Sequence, residues 1–544
     1  MKKIFIYLAL PCIVFGCDVL DTIPTDRISS EVFWKTDKDA EYASNAIYRF
    51  LEDHGTLLSR DEMSDIARAT FETSDETKIE ASIADPQTNL FQNTWNDLYK
   101  GIRRCNDYMA NVDKITPENE SKVNTYTAEV RTLRCYFYSR LVAYFGDLPL
   151  ITTPIGISES KELTRTPVSE IYDFIYKELT EAANDLPVKA SETGRVTKGA
   201  ALGILARTML FAAGNVTGTD DQATLYYQRA KEAADAVIAS GTYSLLPTYK
   251  ELFTYENENN QEVIFDKQFM KDVYSNSVMN NFGAVSLGNN GSMMSPTAVL
   301  VDEYETTNGK KITEDSSYDP TNPYESRDPR LSYTLYVPGD ELPNGTIYDS
   351  RPGWSTTGDV IGASYQVSKT GLLPKKYINA EDIGQSNRTN CGINLIIMRY
   401  AEILLTAAEA RIELNTETDL ALQYINQVRQ RPDVNMPVLS GITSQAALRE
   451  VVRHERTVEL ALEGHRFFDI RRWKIAEDVC NMDQIEGMRY VDKETGKLVT
   501  VTTDYKKKFT SRDYLWPVPY NERQLNLKSA TIIQYTIKGR FMSR

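Results

Sequence analysis

The stretch RHERTVELALEGHRFFDIRRW, residues 453–473, decides the fold. Read with the nine residues before it, it places Leu448, Val451, Val452, Val458, Leu462 and Phe467 at helical spacing, so one helix over 444–473 is expected. Arg449, Arg453, Glu455, Arg456, Glu459 and Glu463 interleave with that stripe. Such a face is expected to form pairs along the helix and with neighbours, each worth about a few tenths of a kcal/mol if exposed.

Working outward, the same periodicity predicts helices over 397–414 and 420–430 on the near side. On the far side it predicts 40–50, 94–112, 122–144, 168–186, 198–213 and 221–240, with Gly, Pro or Asn in the gaps. In 221–240, Ala230, Ala233, Ala234 and Val237 share one face, and such small residues permit close helix approach. Helix pairs joined by short turns suggest a tetratricopeptide-like array, although a strict repeat signature is absent. Between Gly241 and about Ile393 the helical period fades and Tyr, Asn, Gly, Ser and Pro become dense, with 263–265 and 333–337 as candidate strands. So long an irregular interval inside a folded chain points to function. The segment 513–519 reads as extended, its prolines excluding a central strand position.

Lys2 and Lys3 precede an apolar run from Ile4 to Phe15 that is too short to span a bilayer and reads as a signal peptide over 1–16. Gly16 before Cys17 resembles a bacterial lipobox, which makes Cys17 the expected acylation site; several acyl chains there would hold the protein stably on a membrane. The balance of 76 acidic against 61 basic residues, net −15, argues against nucleic acid as a partner. Cys105, Cys135, Cys391 and Cys480 show no Cys-x-x-Cys spacing and are expected to behave as small hydrophobes, with Cys105 and Cys135 the one pair close enough in the pattern to meet.

Catalytic signatures are scarce. A His-Glu-x-x-His zinc site fails because Val458 stands where the second histidine is needed, and His454 and His465 lie about 16 Å apart along a helix axis. His54 is the remaining histidine, and all three are expected to pack or hydrogen-bond. There is no Gly-x-Ser-x-Gly elbow, phosphate loop or dinucleotide fingerprint. A glycosidase needs only two carboxylates about 5 to 10 Å apart, which a sequence with this many acids does not exclude. No cofactor or metal is indicated.

Several segments together resemble the SusD/RagB family of nutrient-binding outer-membrane lipoproteins, nearly end to end. After the lipobox come Leu20-Asp21 through Pro24, Phe33-Trp34, Ala40, Asn45, Ala46 and Tyr48, then Trp95-Asn96-Asp97-Leu98-Tyr99 with Ile102 and Asn106. Ser295-Pro296-Thr297, Leu300-Val301-Asp302 and Arg327-Asp328-Pro329-Arg330-Leu331 follow, and later Arg399-Tyr400-Ala401-Glu402 with Leu404-Leu405 and Ala408-Glu409-Ala410. The opening stretch carries the most telling set: Arg453, Glu455-Arg456, Glu459-Leu460, Glu463-Gly464, Arg466, Phe468-Asp469 and Arg471-Arg472-Trp473. Near the end Trp516-Pro517-Val518-Pro519 fits, whereas Leu525-Asn526-Leu527 lacks the family's Asn-Pro and Gln534-Tyr535 replaces its Gln-Asn.

The resemblance implies a mostly α fold of four degenerate tetratricopeptide-like hairpins carrying a variable, loop-rich lobe with short strands. The expected layout is the signal at 1–16, a helical region at 17–240, a ligand-binding lobe at 241–392 and a carboxy-terminal region at 393–544. It further implies a cell-surface lipoprotein, not an enzyme, that hands oligosaccharide, or alternatively peptide, to a SusC-like TonB-dependent transporter. Sugar capture needs flat apolar faces for C–H packing and planar polar groups for hydroxyls. Tyr274, Asn276, Phe282, Asn289, Asn290, Trp354 and Tyr365 supply both, with Tyr348, Met293 and Met294 beside them. Asp65, Arg68 and Phe71 stand where the family often contributes polar contacts. Trp34, Trp95 and Trp473 are assigned to the framework.

Overall fold

A computed structural model describes residues 33–215, 220–289, 291–384, 386–526 and 528. The signal segment, Cys17 and Asn290 lie outside the described residues.

Ten helices of seven or more residues carry the frame among the described residues: α1 Asp37–Tyr48, α2 Asn89–Met109, α3 Glu120–Phe145, α4 Val168–Asp185, α5 Lys198–Asn215, α6 Asp220–Ala239, α7 Tyr400–Glu413, α8 Thr418–Arg429, α9 Gln445–Glu459 and α10 Arg466–Arg472. From α2 to α8 each helix packs on the one before it, and α7 also touches α9. Polar residues cap two of these helices: the side chains of Asn119 and Ser444 accept the backbone N–H groups of Lys122 and Ala447, at 3.1 and 3.2 Å. Ala230, Ala233, Ala234 and Val237 are all buried, as their shared face predicts. Helix α5 is buried almost all round, and a Cβ at Gly203 would lie 2.2 Å from the Met398 Sδ, so a larger residue there would displace the Met398 side chain.

Four two-stranded antiparallel ladders complete the fold: β1 Ala67–Ala69 with β3 Met294–Pro296, β2 Val263–Lys267 with β6 Leu395–Arg399, β4 Leu335–Tyr336 with β5 Leu373–Pro374, and β7 Ile485–Val491 with β8 Leu498–Thr503. The strand expected at 263–265 is present and longer. The helix expected over 397–414 begins only at Tyr400, because the apolar run before it pairs as β6; a short apolar run fits either state. In 333–337 only Leu335 and Tyr336 are strand, following a short helix Arg330–Thr334.

The opening stretch also departs from one continuous helix. Helix α9 stops at Glu459 and α10 restarts at Arg466, with Leu462 at φ 59° and Gly464 at φ 81° between them. The Gly464 N–H donates to Asp61 Oδ2 at 2.9 Å, and a Cβ on Gly464 would sit 2.3 Å from the Leu57 carbonyl oxygen. Gly464→Ala is therefore expected to cost about 3 kcal/mol, combining left-handed strain with a backbone clash. Urea denaturation checks this, and an unchanged midpoint would contradict the tight approach.

Two large apolar cores form. One fills the helical frame; the other gathers residues of the irregular interval with Leu57, Leu58, Ile66, Val458, Ala461, Leu462 and Met488. The loop-rich lobe is thus seated on the α9–α10 break rather than hung from the helices as a separate body. Trp34 packs at the edge of the first core, and Trp95 and Trp473 are buried.

Candidate functional site

Five of the residues expected to face a ligand are interior. Asp65 is buried and takes two hydrogen bonds from Arg466, at 2.8 and 2.6 Å. Arg68 is buried with its guanidinium 4.3 Å over the Tyr505 ring, and its Nε donates to the Ala69 carbonyl. Asn276 donates to the Ile393 carbonyl and accepts the Val278 N–H, fixing its loop against the segment around Cys391. Phe282 belongs to the lobe core, and Asn289 donates to the Met279 carbonyl. Asn276, Phe282 and Asn289 are expected at a ligand face because polar and aromatic residues in loops suit sugars, and Asp65 and Arg68 because the family resemblance implies polar contacts there. The structure uses them instead to satisfy loop backbone and fill the core, the role that buried polar groups usually have. Tyr348 is likewise buried, its O–H donating to the Gly371 carbonyl at 3.0 Å, and Met294 is buried in β3, with Met293 half-buried beside it.

Phe71, Tyr365 and Trp354 remain at the surface of the lobe. Phe71 follows β1, whose continuation is fixed by the Thr70 N–H to the Met293 carbonyl at 2.7 Å and by Thr70 Oγ1 against Ser295 Oγ at 2.7 Å. Ser295 Oγ also accepts the Lys369 N–H, bringing a third segment to the same point. That segment carries Tyr365, which is 71% exposed with its ring centroid 6.4 Å from that of Phe71. Gly291 lets the segments close: its φ is +113° and a Cβ would lie 1.9 Å from the Gln366 carbonyl oxygen.

Trp354 lies on the same loop as Tyr365 and is 40% exposed. The Arg351 guanidinium sits 3.9 Å from the Trp354 ring centroid, held there by two 2.8 Å hydrogen bonds to Asp349. Lys493, at the β7–β8 turn, stands 5.9 Å from the same ring. The sequence reading missed Arg351, Lys493 and the whole β7–β8 hairpin. The alternation of Val499 and Val501 with Thr500 and Thr502, after a turn at Gly496, is the signal that marks the second strand.

Tyr274 lies elsewhere. Its ring stacks on Phe269 at 5.4 Å and 5° and lines a cleft of about 390 Å³ with Asn45, Arg49, Lys267 and Gln268.

The acid–base groups serve the frame. On the Trp354 loop, Asp349 is committed to Arg351, and Asp359 accepts the Val285 N–H at 2.7 Å while burial pushes its carboxyl up. Burial pushes Asp61 up to about 7 while the Gly464 N–H binds it, and burial pushes His54 and His465 down to about 3 and about 4. Cys105, Cys135, Cys391 and Cys480 are free and buried, with burial raising every thiol. Among the described residues no group of three or more His, Cys, Asp or Glu side chains could hold a metal, and no helix is long and apolar enough to cross a membrane. The arrangement offers ring faces, fixed cations and amide groups, which suit binding.

Several known proteins resemble this chain along most of its length. The SusD family model matches residues 261–536, and a model described as starch-binding associating with outer membrane matches residues 35–210. The chain is 27% identical over 515 residues to a SusD-like protein of Formosa agariphila, covering 88% of this chain and 91% of that one. It is 25% identical over 499 residues to a SusD-like protein of Bacteroides ovatus, covering 87% and 83%. A crystal structure of a SusD-like carbohydrate binding protein from Bacteroides fragilis superposes with a TM-score of 0.82 at 29% identity, covering 91% of this chain and 99% of that one. A second SusD-like protein of that organism gives 0.78 at 26% identity, covering 93% and 98%.

Proposed function

The chain belongs to the SusD family, and from that premise we propose that it captures an oligosaccharide on the rings of Phe71, Tyr365 and Trp354 and releases it chemically unaltered. In this reading an acylated Cys17 tethers it to the outer membrane at the cell surface, and the sugar passes to a SusC-like TonB-dependent transporter.

One observation carries the binding role. Among the described residues the aromatic side chains most open to solvent are Tyr42, Tyr274, Trp354, Tyr365 and Tyr520. Three of these five fall within the loop-rich interval 241–392, and two of them, Trp354 and Tyr365, lie on one loop of it, apart from Tyr274. An exposed ring forfeits the burial that ordinarily stabilises it, so its concentration in one lobe calls for a partner that covers it. A pyranose does so with its C–H face, while Arg351 and Lys493 stand at the rim to meet hydroxyls.

Calorimetry of the mature chain against neutral oligosaccharides and peptides tests the reading. Trp354→Ala and Tyr365→Ala are each expected to weaken glycan binding by about twofold to tenfold, since a stacked ring contributes about 0.5–1.5 kcal/mol. The unfolding midpoint should stay put, because both rings are exposed. Binding of peptides alone, or glycan binding indifferent to both substitutions, would overturn it.

A further inference from the structure

We propose that the Tyr274 cleft is a second sugar subsite, selective for a pyranose bearing an anionic group, a carboxylate or a sulfate. This rests on the reading of the chain as a glycan binder and adds the charge class of one of its sugars.

The cleft lies between the end of α1, the turn at Gly194 and the chain leaving β2, and it shares no lining residue with the Phe71, Tyr365 and Trp354 surface. Its room of about 390 Å³ accommodates a sugar unit. Tyr274 is 43% exposed and lies parallel to Phe269, so a supported ring face forms part of the wall. At the edge of that stack stands Lys267, its Nζ 5.6 Å from the Tyr274 centroid and 5.4 Å from that of Phe269.

The charges around the ring are unevenly matched. Arg49, Arg195 and Lys267 line the cleft, against Glu192 as the one acid. Arg195 is committed to Glu129 and Glu192, both at 2.8 Å. Lys267 is only 6% exposed, yet two backbone carbonyls, those of Arg49 at 3.3 Å and Leu51 at 2.6 Å, accept from it in place of a carboxylate. An ammonium has three donors, so one is left over. Arg49 is exposed, and among the described residues its guanidinium has neither an ion pair nor a hydrogen bond. The nearby Asp53 is occupied in capping the next helix through the Thr56 N–H at 2.8 Å.

A buried ammonium with no carboxylate in contact, only Asp53 and Glu52 at longer range, is costly, and an arriving anion relieves that cost with a charge-assisted hydrogen bond. Neutral sugars cannot. The overall charge of −15 works against long-range attraction of a polyanion, so the recognition must come from this short-range pair of cations beside a ring.

The test uses the mature chain and three probes: a tetragalacturonate, its carboxyl-reduced neutral counterpart and a sulfated carrageenan tetrasaccharide. At least one acidic probe should bind about tenfold or more tightly than the neutral one, and lose that advantage in Arg49→Gln, in Tyr274→Ala and in high salt. Preference for the first or the third probe identifies carboxylate or sulfate as the source. Arg49 and Tyr274 are exposed, so both variants should keep the parent melting temperature. The inference fails if neither acidic probe exceeds the neutral one, or if the advantage survives Arg49→Gln. Neutral binding that Tyr365→Ala abolishes would, in that event, leave the general glycan reading standing. Acid-selective binding that needs Arg49 but ignores Trp354→Ala and Tyr365→Ala would instead uphold the cleft and sink the ring face.

Discussion

Glu459→Ala is expected to lower the unfolding free energy by about 3–5 kcal/mol, the usual cost of removing one partner from a buried ion pair. The carboxylate accepts Arg399 Nη1 at 2.7 Å, Arg431 Nη2 at 2.8 Å and Arg330 Nη1 at 3.0 Å. Those arginines also meet Glu455, Glu262, Asp328 and Glu463, all buried. Alanine at 459 would leave three guanidinium groups short of an anion. The partners come from β6, from the residues after α8 and from the helix Arg330–Thr334, so this network joins the frame to the lobe. Urea denaturation measures the loss, and Asp97→Ala, which removes an exposed pair with Lys100, should cost under about 1 kcal/mol. A Glu459→Ala variant within that same margin would refute the structural role given to the network.

The second large effect is a steep acid collapse confined to low pH. Arginines lower the carboxyl groups of Glu459, Glu463 and Asp469 below the ordinary range against the opposing effect of burial, Glu463 to about 2. A carboxylate whose folded value is depressed contributes stability above its unfolded value near 4.5 and loses it as pH falls through the folded value. Three such groups give a slope of about 4 kcal/mol per pH unit below about pH 4. His54 and His465, lowered by burial, act in the same direction but from pH 6.5 downward, since both must remain neutral to stay buried. They are opposed over that interval by Asp61, Asp266 and Asp382, raised by burial to about 7, 6 and 6. Those acids contribute stability below their unfolded values and lose it as pH rises through the folded ones, so acidification from pH 7 to 4 restores it. Stability should hold or rise slightly from pH 7 to about 4.5 and then drop sharply. Urea midpoints across this range check it; a steady decline starting at pH 6.5 would show that the histidines are not offset.

The contrast between α9 as sequence and as structure shows what was legible. Its apolar stripe announced a helix, and Leu448, Val452 and Val458 are indeed buried. Glu455, Glu459 and Glu463, at i, i+4 spacing, read equally well as a solvated face. Their burial depends on Arg330, Arg399, Arg429 and Arg431, which lie far along the chain, and local pattern carries no record of that meeting. Gly464 was visible as a glycine, but the carbonyl of Leu57 that demands it was not.

The candidate site divides in the same way. Residue type pointed to rings in the loops, and Tyr365 and Trp354 are exposed. Type alone could not separate them from Phe282, which fills the core, or Asp65 from a ligand contact, because Arg466 arrives from the other end of the chain. The Phe71 and Tyr365 pairing needed the junction at Ser295 to be seen.

The most direct measurement is equilibrium dialysis of the lipid-free mature chain against labelled oligosaccharides, with chromatography of the sugar afterwards, for the parent and the Trp354→Ala, Tyr365→Ala double variant. The account predicts saturable retention by the parent, recovery of the sugar at its original length, and loss of retention by about fivefold to a hundredfold in the double variant if the two rings act independently. Shortened sugar after incubation, or equal retention by parent and variant, would contradict it.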